Sequence, residues 1–194
     1  MLHVVVGPMA SGKSEDLIST AHAYKEAFEA AGKGVVVVVS HRLSVFRGDG
    51  VIKSRTGNFI EAKIVESLKE FDLPMDPSEP HFIFVDEVHF FPVMEAYYLA
   101  ELARKNYVMA AGLDTDFRGE PWPFTANLLA LADLVTKRVA RCAKCGQYNA
   151  NRTQRLVHGK PARYHDHLLL PGDDEERDGV RYEPRCIDCH EVIK

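Results

Sequence analysis

Short apolar runs alternate with amphipathic stretches along this chain, and the alternation predicts strands and helices in turn. The run through Leu2 to Val6 predicts a first strand. After a Gly-containing turn, Leu17, Ile18, Ala21, Tyr24, Lys25 and Phe28 mark one face of a helix over 14–31 that stops at Gly32. Five consecutive valines then fill the segment 34–39. They are too β-branched for a helix and too few for a membrane span, so they predict a buried central strand. The polar stretch 40–56 reads as a connection near a site, followed by a short strand over 60–65 and a short helix over 65–71. A Pro-rich break at 74–80 precedes an apolar strand, 81–87, that ends in two carboxylates. Further on, the spacing predicts a helix over 93–106, a strand over 108–112, a helix over 126–132 and a strand over 135–142 that leads out of the sheet. Strands alternating with helices in this way predict an α/β fold, a mostly parallel sheet with helices on both faces.

The pattern changes at residue 142. Residues 142–194 hold all four cysteines, many arginines and an acidic run over 173–178, and they lack the long apolar strands of the first part. They read as a separate small lobe after a main domain over 1–141, and the acidic run as a solvated loop. A length of 194 residues suits one α/β domain with such an appendage. The net charge of −4 provides no basic stripe for nucleic acid, so a small or nucleotide-like partner fits better. With no basic leader and no apolar run near the roughly 20 residues of a membrane span, the chain reads as cytoplasmic. In a reducing compartment, two close cysteine pairs favour a metal over disulfides.

Three groups of residues carry candidate chemistry. Gly7-Pro8-Met9-Ala10-Ser11-Gly12-Lys13-Ser14 spells G-x-x-x-x-G-K-S between the first strand and the first helix. Backbone N–H groups of such a loop and the positive end of the following helix hold nucleotide phosphates. Lys13 then reaches the β- and γ-phosphates, and Ser14 offers its hydroxyl to magnesium. Asp86 and Glu87 end a strand of the same sheet: Asp86 suits the magnesium, and Glu87 suits a general base that takes a proton from the attacking oxygen. Cys142-x-x-Cys145 and Cys186-x-x-Cys189 supply four thiolates suited to tetrahedral zinc at the base of a long loop. His190, beside the last cysteine, is a substitute ligand, whereas His165 and His167 inside the loop read as exposed.

Taken together these motifs resemble the thymidine kinases of the bacterial and vertebrate-cytosolic type. Gly7 to Ser14 matches that family's G-P-M-x-S-G-K-S, and Asp86-Glu87-x-x-Phe90-Phe91 its D-E-x-Q-F-F. Gly112 to Gly119 is similar to its G-L-D-x-D-F-R-G, and Ser54-Arg55-x-Gly57 and Tyr182-x-x-x-Cys186-x-x-Cys189 also fit. The resemblance implies a P-loop, RecA-like sheet with a small zinc-binding lobe and a lasso loop. It also implies transfer of the γ-phosphate of magnesium-ATP to the 5′-hydroxyl of thymidine and deoxyuridine in nucleotide salvage, by a homotetramer. It would set Tyr182 against the nucleoside, Phe117 on the base, and Met9, Leu113 and Thr153 around the 5-methyl group.

Two positions depart from the family. Its Asp-x-Arg after the second strand is replaced here by Ser44-Val45-Phe46-Arg47, with the arginine displaced by one position, and its Gln is replaced by His89. Two other classes stay open at this level. Asp86-Glu87-Val88-His89 also resembles the D-E-x-H box of nucleic-acid helicases, although one lobe and a negative net charge argue against a motor. The C-terminal part could also be a zinc-dependent protein-binding module on a regulatory ATPase.

Overall fold

Six strands form the central sheet of the computed structural model, which describes residues 1–47, 50–70, 81–169 and 179–194. In chain order the elements are β1 (Leu2–Val6), α1 (Lys13–Tyr24), β2 (Val35–His41), β3 (Val51–Lys53), β4 (Phe59–Glu61), β5 (Lys63–Val65), β6 (His81–Asp86), α2 (Glu95–Ala103), β7 (Tyr107–Gly112), α3 (Pro123–Leu131) and β8 (Leu134–Lys137). There follow β9 (Arg152–Val157), β10 (Lys160–Pro161) and β11 (Val180–Arg185). The chain divides into two compact units, one of Met1–Val6, Gly12–Gly112 and Pro123–Thr136, the other of Gly7–Ser11, Leu113–Trp122 and Lys137–Lys194.

The sheet order is β5-β2-β6-β7-β1-β8, and β5, β2, β6, β7 and β1 pair in parallel. Both faces are covered, which is why the strands are continuously apolar rather than alternating. Val4, Val6, Val37, Val39, Ile83 and Val85 share one buried cluster with Leu99, Leu102, Phe124 and Leu128 of α2 and α3. Val5, Val36, Val38, Phe82, Phe84 and Met109 pack on the other face with Leu17, Ile18 and Ala21 of α1. Leu99 is fully buried, and truncating such a leucine to alanine costs about 2–5 kcal/mol. In a parallel sheet of this kind, chemistry collects at the carboxyl ends of the strands, and β6 ends on Asp86.

Several elements differ from the sequence pattern. The first helix leaves α geometry after Tyr24 and continues as a π-helical turn, Lys25–Glu29. Aromatic packing accompanies the change: Tyr24 stacks on Tyr107 with ring centroids 5.0 Å apart, and Phe28 sits 4.7 Å from Phe82. The polar stretch after β2 is more than a connection, because it contains a 3-10 turn, Arg42–Arg47, and β3, which forms a hairpin with β4. The single strand expected over 60–65 is therefore two: β4 belongs to that hairpin and β5 to the main sheet edge. The helix expected over 65–71 is a 3-10 turn, Leu68–Glu70, held by Glu95, whose carboxylate accepts from Leu68 N at 2.7 Å and Ser67 Oγ at 2.5 Å. The third helix begins at Pro123, whose fixed φ and missing N–H suit a first helical turn. The strand expected over 135–142 is the shorter β8.

In the second unit β10, β9 and β11 form an antiparallel sheet. Its strands are polar and arginine-rich, so their period carries little hydrophobic signal. The break at 74–80, Phe71, the acidic run at 173–178 and the Arg47 side chain lie outside the described part.

Candidate functional site

The first unit builds a phosphate-type centre from the start of α1 and the end of β6. Gly12 caps α1 in the left-handed region with φ 86°, and the helix starts at Lys13 with its first-turn N–H groups outside the helix's own hydrogen-bond ladder. Lys13 is buried and Ser14 half-buried at this positive helix end. Ser14 hydrogen-bonds the Asp86 carboxylate through its side chain, so the two residues expected to share magnesium are brought together. Burial, and then the charge of Glu87, push the Asp86 carboxyl up to about 6 against the pull of Ser14, the Glu87 N–H and Lys13. A buried carboxylate and a hydroxyl are hard oxygen donors, and a divalent cation would relieve the strain on the carboxylate's charge.

Glu87 follows with φ 54° and ψ 38°, a left-handed conformation that a residue with a side chain rarely adopts. Its N–H donates to Asp86 Oδ1 at 2.9 Å. Strain of this type collects where a side chain must be aimed rather than where a strand simply ends. His89 is buried beside it, its Nε2 3.6 Å from Glu87 Oε2. Burial of that imidazole, helped by the charges of Lys13 and His41 and opposed by that of Glu87, pushes its pKa down to about 4. Glu15, in the first turn of α1, accepts hydrogen bonds from Thr56 Oγ1 at 2.5 Å and Asn58 Nδ2 at 2.6 Å, which ties the β3–β4 hairpin to the helix start. Ser44, standing where the family has Asp, is turned into its own backbone: its Oγ donates to His41 O at 2.5 Å and lies 2.8 Å from Ser40 Oγ.

In the second unit a different set converges. Gly7 is required by a close approach, since a Cβ there would lie 2.5 Å from Arg138 O and 2.9 Å from Ser11 Oγ. Met9 N donates to Thr153 Oγ1 at 3.1 Å, joining the loop to β9. Thr153 and Arg155 are two apart on β9, and Tyr182 is the direct cross-strand partner of Arg155. By the period of a strand, these three share one face of the small sheet. The Phe117 ring is buried, with the Arg155 guanidinium 3.5 Å from its centroid. Leu113 is half-buried in the same unit.

Arg155 was not visible in the sequence as a functional residue. It is 0% exposed, donates through Nη1 to His167 O at 2.6 Å and Leu168 O at 3.3 Å, and leaves Nε and Nη2 without acceptors among the described residues. Arg118 donates to Asp166 O at 2.9 Å, so two arginines pin the segment 166–168. The signal that could have found Arg155 is its period: an arginine two residues after a candidate pocket threonine falls on the same side of a strand.

The four cysteine sulfurs of Cys142, Cys145, Cys186 and Cys189 all lie within 4.8 Å of one another, and Cys145 and Cys186 are 3.8 Å apart. Tetrahedral ligation with Zn–S near 2.3 Å requires sulfur separations of about 3.8 Å, so this donor set fits zinc. Burial pushes the Cys142 thiol up, but backbone N–H groups of Cys145, Cys186 and Lys144 aimed at it outweigh that and bring it down to about 6, toward the thiolate. His190 is not part of the group; its Nε2 is hydrogen-bonded to Phe117 O at 2.9 Å. His165 and His167 are exposed.

A family model described as "Thymidine kinase" matches residues 1–190. The chain is also 38% identical over 189 residues to a thymidine kinase of Pyrobaculum aerophilum, with 96% of each chain covered.

Proposed function

The chain belongs to the thymidine kinase family, and from that premise we propose that it transfers the γ-phosphoryl group of ATP to the 5′-hydroxyl of thymidine and of deoxyuridine. The observation that carries the reading is the hydrogen-bonded Ser14–Asp86 pair with Lys13 and a strained Glu87 beside it. Lys13 and the N–H groups at the start of α1 hold the triphosphate. Ser14 and Asp86 would hold magnesium, which supplies charge neutralisation on the phosphates when bound. Glu87 accepts the proton of the 5′-hydroxyl as that oxygen forms its bond to phosphorus and the bond to the ADP oxygen breaks.

Binding of the base is assigned to the second unit. Phe117 and Tyr182 offer aromatic surface to a pyrimidine, and Met9, Leu113 and Thr153 surround its 5-position. Cys142, Cys145, Cys186 and Cys189 would hold zinc, which when bound would close the long loop that carries 163–169 and so restrict the unfolded chain. We further assign the protein to a homotetramer acting in nucleotide salvage; Met94 just before α2, Tyr97 of α2, Leu131 of α3 and Leu134 and Val135 of β8 are exposed apolar residues that assembly would cover. No helix among the described residues is long and apolar enough to cross a membrane.

The test is a substrate panel with magnesium-ATP. Thymidine and deoxyuridine should each release ADP in step with nucleoside monophosphate, while purine nucleosides and polynucleotides should not. ADP release stimulated by polynucleotide and indifferent to pyrimidine nucleosides would overturn the reading.

A further inference from the structure

Glu87 needs its carboxylate aimed, and its backbone does not provide regular support. It stands in the left-handed region between β6 and the 3-10 turn Val88–Phe90, with its side chain 22% exposed. The His89 ring lies next to it with only 1% of its side chain exposed, its Nε2 3.6 Å from Glu87 Oε2. That ring is fixed from two other sides. Phe90 packs on it with centroids 4.0 Å apart, and Gly112 at the end of β7 leaves it no slack, because a Cβ there would lie 3.2 Å from His89 Nδ1 and 2.7 Å from Val88 Cγ2. The neighbouring ionisable groups that act on the ring are Glu87, Lys13 and His41.

We infer that His89 is a positioning residue for the phosphoryl-transfer step: its Nε2–H donates to the Glu87 carboxylate and holds the oxygen that faces the acceptor hydroxyl. This rests on the reading of Glu87 as the base. At 3.6 Å the contact is longer than a formed hydrogen bond, and catalytic contacts of this kind tighten when the substrate is in place. Burial keeps the imidazole neutral in the neutral pH range, with a pKa of about 4, so it supplies a donor without placing a cation against the base. A glutamine amide does the same, being neutral and able to donate. That accounts for the exchange of the family's Gln for His89: the requirement is a neutral donor, which both side chains meet. A charged donor would weaken Glu87 as a base, and an apolar side chain would leave it unaimed.

The experiment compares His89→Gln with His89→Met, which have nearly the same shape and differ in the donor, with Glu87→Gln beside them. His89→Gln should keep kcat within about threefold, whereas His89→Met should lose on the order of tenfold or more in kcat, the usual effect of a hydrogen bond to a charged group. The KM values for thymidine and ATP should stay within about twofold in both. Equal kcat for the two variants, or a loss of KM with kcat retained, overturns the inference. Full turnover by Glu87→Gln removes the base reading itself, while a collapse of Glu87→Gln with a normal His89→Met removes only the role of His89. Nitrogen-15 spectra of the unmodified protein give an independent reading that needs no variant. His89 must carry its proton on Nε2 in the thymidine complex, and a proton on Nδ1 overturns the proposal.

Discussion

His89 makes folding stability depend on pH in a direction fixed by its burial. Its pKa falls from 6.5 in the unfolded chain to about 4 in the fold, so the unfolded state binds the extra proton between those values. Its contribution is fully present above pH 6.5 and is lost as pH falls toward 4, about 3 kcal/mol over the window. Asp86 runs the other way: raised from 3.8 to about 6, it contributes stability at low pH that is lost as pH rises through 6. The two act in opposite directions over this range, so the informative quantity is a difference. Denaturant titrations of the parent and His89→Gln should diverge between pH 6.5 and 4, with the variant losing less stability on acidification. Parallel curves would show that His89 is not held neutral by burial. At this scale the candidate residues could be read from the sequence, since G-x-x-x-x-G-K-S and the Asp86-Glu87 pair are patterns of type and spacing. It could not display the left-handed backbone of Glu87 or the contact with His89, which depend on where Gly112 and Phe90 fall in space.

Among the elements, the central strands were legible because burial on both faces leaves an unmistakable apolar run, as in Val35–His41 and His81–Asp86. The hairpin of β3 and β4 and the sheet of β9 to β11 were not, because short or polar strands are fixed by hydrogen-bonded register and not by hydrophobic period. That small sheet carries Arg155, whose guanidinium backs Phe117 and whose Nη1 pins His167 and Leu168. Arg155→Met keeps much of the volume and removes the fork, so it should raise the KM for thymidine about tenfold or more and leave that for ATP unchanged. Arg155→Lys should recover little, because a point charge cannot stack on the ring and reach two carbonyls together. Equal changes in both KM values, or none, would show that the residue only fills space.

For the molecule as a whole, the long separation between the cysteine pairs matters most for the second unit. Protein purified without added metal should contain about one zinc per chain with its four thiols protected from titration. Four freely reacting thiols without zinc would contradict the clamp. In that unit Gly7–Ser11 and Leu113–Trp122 pack with Lys137–Lys194, an association that no local composition reveals.

The most direct test is a rapid-quench measurement of thymidine monophosphate formation from magnesium-ATP by the parent and by Glu87→Gln, with thymidine affinity measured in parallel. The amide keeps the shape and hydrogen-bonding reach of the side chain but cannot take the proton. The predicted result is product formation by the parent and a fall of roughly 10²–10⁴ in the variant's rate with thymidine binding retained. Equal rates under saturating substrates with chemistry limiting, or no thymidine monophosphate from the parent at all, would contradict the account.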